Sequence, residues 1–158
     1  MADLKNLIAE LEKVALDPAA AAKKLKADSG KKLVGMFPLY LPEEIVYAAD
    51  MIPVGMWGGQ TEIRLADKYL QSFCCSIIRA NLEQGMDGTY DFLDGVIMAT
   101  YCDTLKCVCE DWKVAVPQIP FIPMVYPQNR NIQAGIDYMV DEFERVQNEL
   151  EKISGVKV

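Results

Sequence analysis

Apolar positions recur at helical spacing near both ends of the chain and gather into short runs between them. Leu4, Leu7, Ile8, Leu11 and Val14 mark one helix face, so residues 3–27 read as helical. Asp17-Pro18 restarts that pattern, proline being suited to a first helical position, and Gly30-Lys31-Lys32 ends it. Four apolar runs, at 32–37, 51–56, 92–100 and 119–125, predict strands. The last holds two prolines, which suggests an edge or an irregular strand. Helical stretches separate the runs, at 42–50, 75–83 and 103–113. The first opens with Pro42 and carries Glu43-Glu44 in its first turn, where carboxylates suit the helix dipole. Ile132, Ile136, Met139, Val140, Phe143, Val146 and Leu150 predict a long closing amphipathic helix.

Strand and helix alternating in this way imply an α/β fold. The expected form is an open, mostly parallel, Rossmann-like sheet with helices on both faces. An N-terminal helical segment over 1–30 would precede an α/β domain over 31–158. Ligands of such sheets gather outside the carboxyl ends of the strands. Those ends carry Phe37-Pro38-Leu39-Tyr40, Trp57-Gly58-Gly59-Gln60, Thr100-Tyr101-Cys102-Asp103 and Tyr126-Pro127-Gln128-Asn129-Arg130. Neither a G-x-G-x-x-G nor a phosphate-binding P-loop pattern is present, so the nucleotide fingerprints are missing.

Composition narrows the chemistry. At 158 residues, half of them apolar, the chain is one domain of ordinary size with enough apolar side chains for a real core. A net charge of −7 argues against nucleic acid or an anionic membrane as a partner. The start, Met1-Ala2-Asp3-Leu4-Lys5, lacks the apolar run of a signal peptide, and no stretch approaches the length of a membrane span. The expectation is a cytoplasmic protein with reduced thiols.

The chain has five cysteines and no histidine, so a metal site would draw on sulfur, carboxylate or backbone. Thiolates suit iron–sulfur clusters, zinc or copper(I). Cys102 combines a strand-to-helix turn with a following helix start, whose amides favour an anion; the alternative is a small hydrophobe in a tight turn. Cys75 starts a helix and would face the same rim. Adjacent side chains diverge, so Cys74 does not share its site, and one of the two is expected in the core. Cys107 and Cys109 fall on different faces of a helix and both read as packing residues. Their spacing matches no common zinc pattern. Glu43 and Glu44 read as helix-start residues rather than acid–base groups. Trp57-Gly58-Gly59 is either a close backbone approach to a ligand or a turn needing positive φ. Arg130 reads as part of a solvated helix start, and the Asp-Gly pairs at 87–88 and 94–95 as turns.

Several of these segments together resemble a known family. They are Gly35-Met36-Phe37-Pro38-Leu39-Tyr40-Leu41-Pro42-Glu43-Glu44-Ile45-Val46-Tyr47-Ala48-Ala49, Ile52-Pro53-Val54-Gly55-Met56-Trp57-Gly58, Ser72-Phe73-Cys74-Cys75-Ser76, Tyr90-Asp91-Phe92-Leu93-Asp94-Gly95-Val96-Ile97, Cys102-Asp103-Thr104-Leu105 and Tyr126-Pro127-Gln128-Asn129-Arg130. In this order they resemble the beta subunit of the (R)-2-hydroxyacyl-CoA dehydratases, with benzoyl-CoA reductase subunits as more distant relatives. The resemblance implies a lyase component of anaerobic amino-acid fermentation, inactive alone and paired with an alpha-type subunit. It implies a [4Fe–4S] cluster whose first two ligands match Cys75 and Cys102, while Cys74 matches no ligand. The third cysteine is expected from a second α/β domain, and the chain ends at Val158. An ATP-dependent iron–sulfur activator would deliver one electron, which a beta-type cluster relays. The alpha subunit would make most contacts to the 2-hydroxyacyl-CoA substrate, from which radical chemistry eliminates water. A cluster-free docking module of the same fold and a zinc-stabilised domain are the alternatives.

Overall fold

The computed structural model describes residues 3–158, which divide into a unit ending at Lys31 and a unit covering Lys32–Val158. In the first, α1 (Leu4–Leu16) and α2 (Pro18–Ser29) are separated by Asp17 alone. The Asp17 carboxylate accepts the Ala20 N–H at 2.9 Å and Pro18 takes the first helical position, where its missing donor loses nothing. Gly30 ends α2 with φ +66°. The periodic apolar residues of α1 are exposed and none of its residues is buried.

The second unit is built on a four-stranded sheet of order β2-β1-β3-β4, parallel at every pairing. Its strands are β1 (Leu33–Phe37), β2 (Ile52–Gly55), β3 (Gly95–Ala99) and β4 (Phe121–Met124). The central pair, β1 and β3, is buried at every position, as an apolar run covered on both faces must be. The two edge strands each contain a proline, Pro53 in β2 and Pro123 in β4. The edge position expected for the fourth strand is therefore its actual place.

The connections follow from the order. β1 is followed by α3 (Glu43–Ala48) and then β2; α4 (Ser76–Met86) leads from β2 across to β3; α5 (Asp103–Ala115) leads to β4; and α6 (Gln133–Ser154) closes the chain. Strands β1 to β2 step one way and β2 to β3 to β4 the other, so right-handed crossovers place α3 opposite α4 and α5. Packing agrees: α3 meets α6, and α4 meets α5. One core layer joins Val34, Met36, Ile97, Ile122 and Met124 to Val46 of α3 and Val146 and Leu150 of α6. Across the sheet, Trp112 of α5 is fully buried and stacks on Phe121, their ring centroids 6.4 Å apart. Gly35 in the centre of β1 admits Met56 and Leu93, whose atoms would lie 2.4 and 2.7 Å from a Cβ there.

Candidate functional site

Because the strand order reverses between β1 and β3, their carboxyl ends border the crevice where ligands of such sheets bind. The β1 turn brings Leu39 and Tyr40 to that rim, and the β3 turn brings Thr100, Tyr101 and Cys102. Cys102 is the N-cap of α5, in extended geometry, with its Sγ 3.5 Å from the Leu105 amide. Cys75 is the N-cap of α4. Both helices run back to the amino ends of the strands that follow them, so both thiols stand at the carboxyl rim, on the face that α4 and α5 cover. Both are exposed and neither is in a disulfide.

The other cysteines depart in part from expectation. Cys109 is buried, as a packing residue should be, and burial, with Glu110 adding to it, pushes its thiol up to about 12. Cys107 is not a packing residue: the buried positions of α5 are Leu105, Val108, Cys109 and Trp112, and Cys107 falls off that stripe and is exposed. Neither member of the Cys74-Cys75 pair is in the core, since the pair sits in the irregular turn before α4, where Cys74 is half-buried. Among the described residues no three of His, Cys, Asp and Glu converge as a metal site.

Helix α4 also organises the loop leading to Cys75, through two buried polar residues that sequence reasoning missed. Asn81 accepts the Gly58 N–H at 3.2 Å and the Tyr90 hydroxyl at 2.8 Å, and donates to the Met56 carbonyl at 3.2 Å. Burial raises the Tyr90 phenol, which stays a donor. Gly58 has φ +65°, and a Cβ there would meet Ala80 at 3.0 Å, so the tight turn and the close helix both need glycine. Glu83 accepts amides from Arg64, Leu65 and Ala66 at 2.8–3.0 Å. Burial alone would raise its carboxyl, but the three amides outweigh burial and hold it below its ordinary value. Beside this loop, Trp57, Thr61, Ile63, Ser76, Ile77 and Ala80 line an open pocket of about 390 Å³ with no charged side chain.

On the other side of the crevice the rim is aromatic. Tyr101 and Tyr126 lie 4.9 Å apart by ring centroid, with Tyr40 edge-on to Tyr101 at 6.4 Å. Burial first, and the neighbouring phenols after it, raise the Tyr101 phenol; burial also raises Tyr126. Glu43 and Glu44 occupy the first turn of α3 as expected. Arg130 is exposed before the start of α6. The Asp94-Gly95 pair does more than turn the chain, since the Asp94 carboxylate accepts the Leu33 amide at 2.8 Å and so joins the start of β3 to β1.

A doubly wound parallel sheet that presents cysteine thiols at its carboxyl rim, in place of a glycine-rich phosphate loop, defines a thiol-bearing α/β domain. The chain belongs to the family described as 2-hydroxyglutaryl-CoA dehydratase, D-component, whose profile matches residues 38–158. It is 39% identical over its whole length to the (R)-phenyllactyl-CoA dehydratase beta subunit of Clostridium sporogenes, covering 42% of that protein. The lactoyl-CoA dehydratase subunit beta of Anaerotignum propionicum is 40% identical, again over the whole chain and 42% of the relative. The (R)-2-hydroxyglutaryl-CoA dehydratase subunit beta of Acidaminococcus fermentans is 42% identical over 98% of the chain and 41% of the relative. The chain thus spans well under half the length of these curated relatives. Among the described residues no helix is long and apolar enough to cross a membrane.

Proposed function

We propose that the protein serves as a beta-type component of an (R)-2-hydroxyacyl-CoA dehydratase, with Cys75 and Cys102 as two ligands of a [4Fe–4S] cluster. The observation that carries this reading is the placement of two exposed thiols as N-caps of α4 and α5 at one rim of the sheet. Soft sulfur donors at open positions fit iron in a sulfide cluster. They fit as part of a ligand set, since no third group converges with them among the described residues. The remaining ligands would come from outside this chain's described residues, and the relatives' greater length leaves room for such a source.

The cluster, when bound, would supply a one-electron reservoir. The residues of this chain would hold it at the rim: Glu83 and Asn81 fix the loop before Cys75, and the β3–α5 turn fixes Cys102. Relatives named as beta subunits support an alpha-type partner, and their names support 2-hydroxyacyl-CoA thioesters as the substrate class of the whole enzyme. An ATP-dependent iron–sulfur activator as electron donor rests on the sequence resemblance. A cluster-free docking module is the second reading, favoured by the lack of a third converging ligand.

Iron and acid-labile sulfide on the anaerobically purified chain separate the two, with zinc assayed in parallel. After reconstitution with ferrous iron, sulfide and a small thiol, iron and sulfide should be retained together. Cys75→Ala and Cys102→Ala should each lose them, and Cys74→Ala should not. Equal loss in all three variants would overturn the residue assignment. Retention of zinc alone would overturn the cluster.

A further inference from the structure

The crevice between the carboxyl ends of β1 and β3 is crossed by a strap of side chains. Tyr101 donates its phenol hydrogen to the Leu39 carbonyl at 3.0 Å, tying the β3 turn to the β1 turn. Tyr126, just beyond β4, donates in the same way to the Tyr40 carbonyl. The Tyr101 ring lies between the other two, 4.9 Å from Tyr126 and 6.4 Å from Tyr40. Three rim turns are therefore joined by two phenol–carbonyl bonds, by a tilted pair of rings and by the contact between the Tyr101 and Tyr126 hydroxyls. Of the three tyrosines, Tyr101 alone is covalently next to a rim thiol.

The backbone on either side of that thiol is fixed independently. Thr100 donates its amide and its hydroxyl to the Met124 carbonyl, at 3.0 and 3.3 Å, which anchors the turn to β4. Lys106 donates its amide to the Cys102 carbonyl at 3.0 Å, which begins the α5 hydrogen-bond ladder. Between these anchors the Cys102 Sγ accepts the Leu105 amide at 3.5 Å, and the neighbouring Tyr101 phenol adds a tie across the crevice. Residues outside the ligands orient the groups that hold a metal, and losing one such partner typically weakens metal affinity by about 10–100-fold.

We propose that Tyr101 is a positioning residue for Cys102: its bond to Leu39 across the crevice fixes the direction in which the thiolate points from the rim. This rests on the reading of Cys102 as a cluster ligand. Tyr101→Phe keeps the ring and its pairing and removes only the hydroxyl. Tyr126→Phe is the control: it cuts the bond to Tyr40 and takes an acceptor from the Tyr101 hydroxyl, but leaves the Tyr101–Leu39 bond in place.

Each 158-residue chain is reconstituted anaerobically with ferrous iron, sulfide and a small thiol, and desalted. Retained iron, the electron paramagnetic resonance spectrum of the reduced sample and the thermal midpoint of the metal-free chain are then measured. Tyr101→Phe should hold iron roughly tenfold more weakly and give a broadened, shifted spectrum. Tyr126→Phe should match the wild type in both, with metal-free midpoints alike in all three proteins. A Tyr101→Phe spectrum and iron content equal to wild type would overturn the proposal. So would an equal effect from Tyr126→Phe, or iron loss that only tracks a lowered metal-free midpoint. A wild-type chain that takes up no iron would instead sink the ligand reading, and the proposal with it.

Discussion

Removing the Glu83 carboxylate should loosen the loop before Cys75 and weaken the fold by an amount the geometry sets. Glu83 is 4% exposed. Its Oε2 accepts the amides of Arg64, Leu65 and Ala66 at 3.0, 2.8 and 2.8 Å, and its Oε1 shares the Leu65 amide at 3.1 Å, so the α4 side chain caps the short 3₁₀ turn Ala66–Lys68 from outside. In Glu83→Ala the Ala66 amide is left buried without an acceptor, which costs about 1–3 kcal/mol. The amides of Arg64 and Leu65 lie nearer water and add roughly 0.5 kcal/mol each. A total of about 3 kcal/mol, with a urea slope of about 2 kcal/mol per molar, lowers the unfolding midpoint by roughly 1.5 M. Glu83→Gln keeps an acceptor and should lose less. Acid should then shrink the gap between wild type and Glu83→Gln. The folded carboxyl lies below its ordinary value of 4.5, so its contribution is whole above 4.5 and fades as pH falls through the folded value. Urea unfolding followed by tryptophan fluorescence at neutral and acidic pH measures both effects. A Glu83→Ala loss under about 0.5 kcal/mol, or a gap to Glu83→Gln that is unchanged in acid, would refute the reasoning.

Asn81→Ala strips two acceptances and one donation from the turn at Met56 to Gly58, and should cost about 2–4 kcal/mol by the same unfolding assay. Gly35→Ala places a methyl against Met56 and Leu93 in the sheet centre and should lower the thermal midpoint, by about 1–3 kcal/mol of stability. Cys109, its thiol pushed up to about 12 by burial, should resist alkylation at pH 8 in the folded chain and react only on unfolding. Exposed Cys107, Cys75 and Cys102 should react at once, and peptide mass spectrometry reads the order.

The periodic signals of the sequence carried most of the fold. Apolar runs made β1 and β3 legible as strands, though only the sheet order shows that they are the central pair. Pro123 betrayed an edge by lacking the donor an inner strand needs, and Asp17-Pro18 marked the break between α1 and α2. The rim thiols were legible from helix starts: Cys102 in the turn before α5, and Cys75 as the expected first residue of a helix that in fact begins at Ser76. The tertiary partners of polar residues were not. Glu83 and Asn81 look like ordinary helix residues, and only the fold brings them against amides about twenty residues away. Asp94 looked like a turn former until the parallel register set it beside Leu33. Cys107 was misread for a simpler reason: a stripe defined by Leu105, Val108 and Trp112 leaves room for only one of two cysteines spaced two apart, and Cys109 takes it.

The prolines in both outer strands have a consequence for how this molecule meets others. Each removes one backbone donor, from β2 at Pro53 and from β4 at Pro123. A strand offered by another chain would find each border short of a full ladder, and the sheet resists growing sideways into fibres or mispaired oligomers. Contacts with other proteins are thereby steered away from the borders of the sheet, towards its helical faces and the thiol-bearing rim.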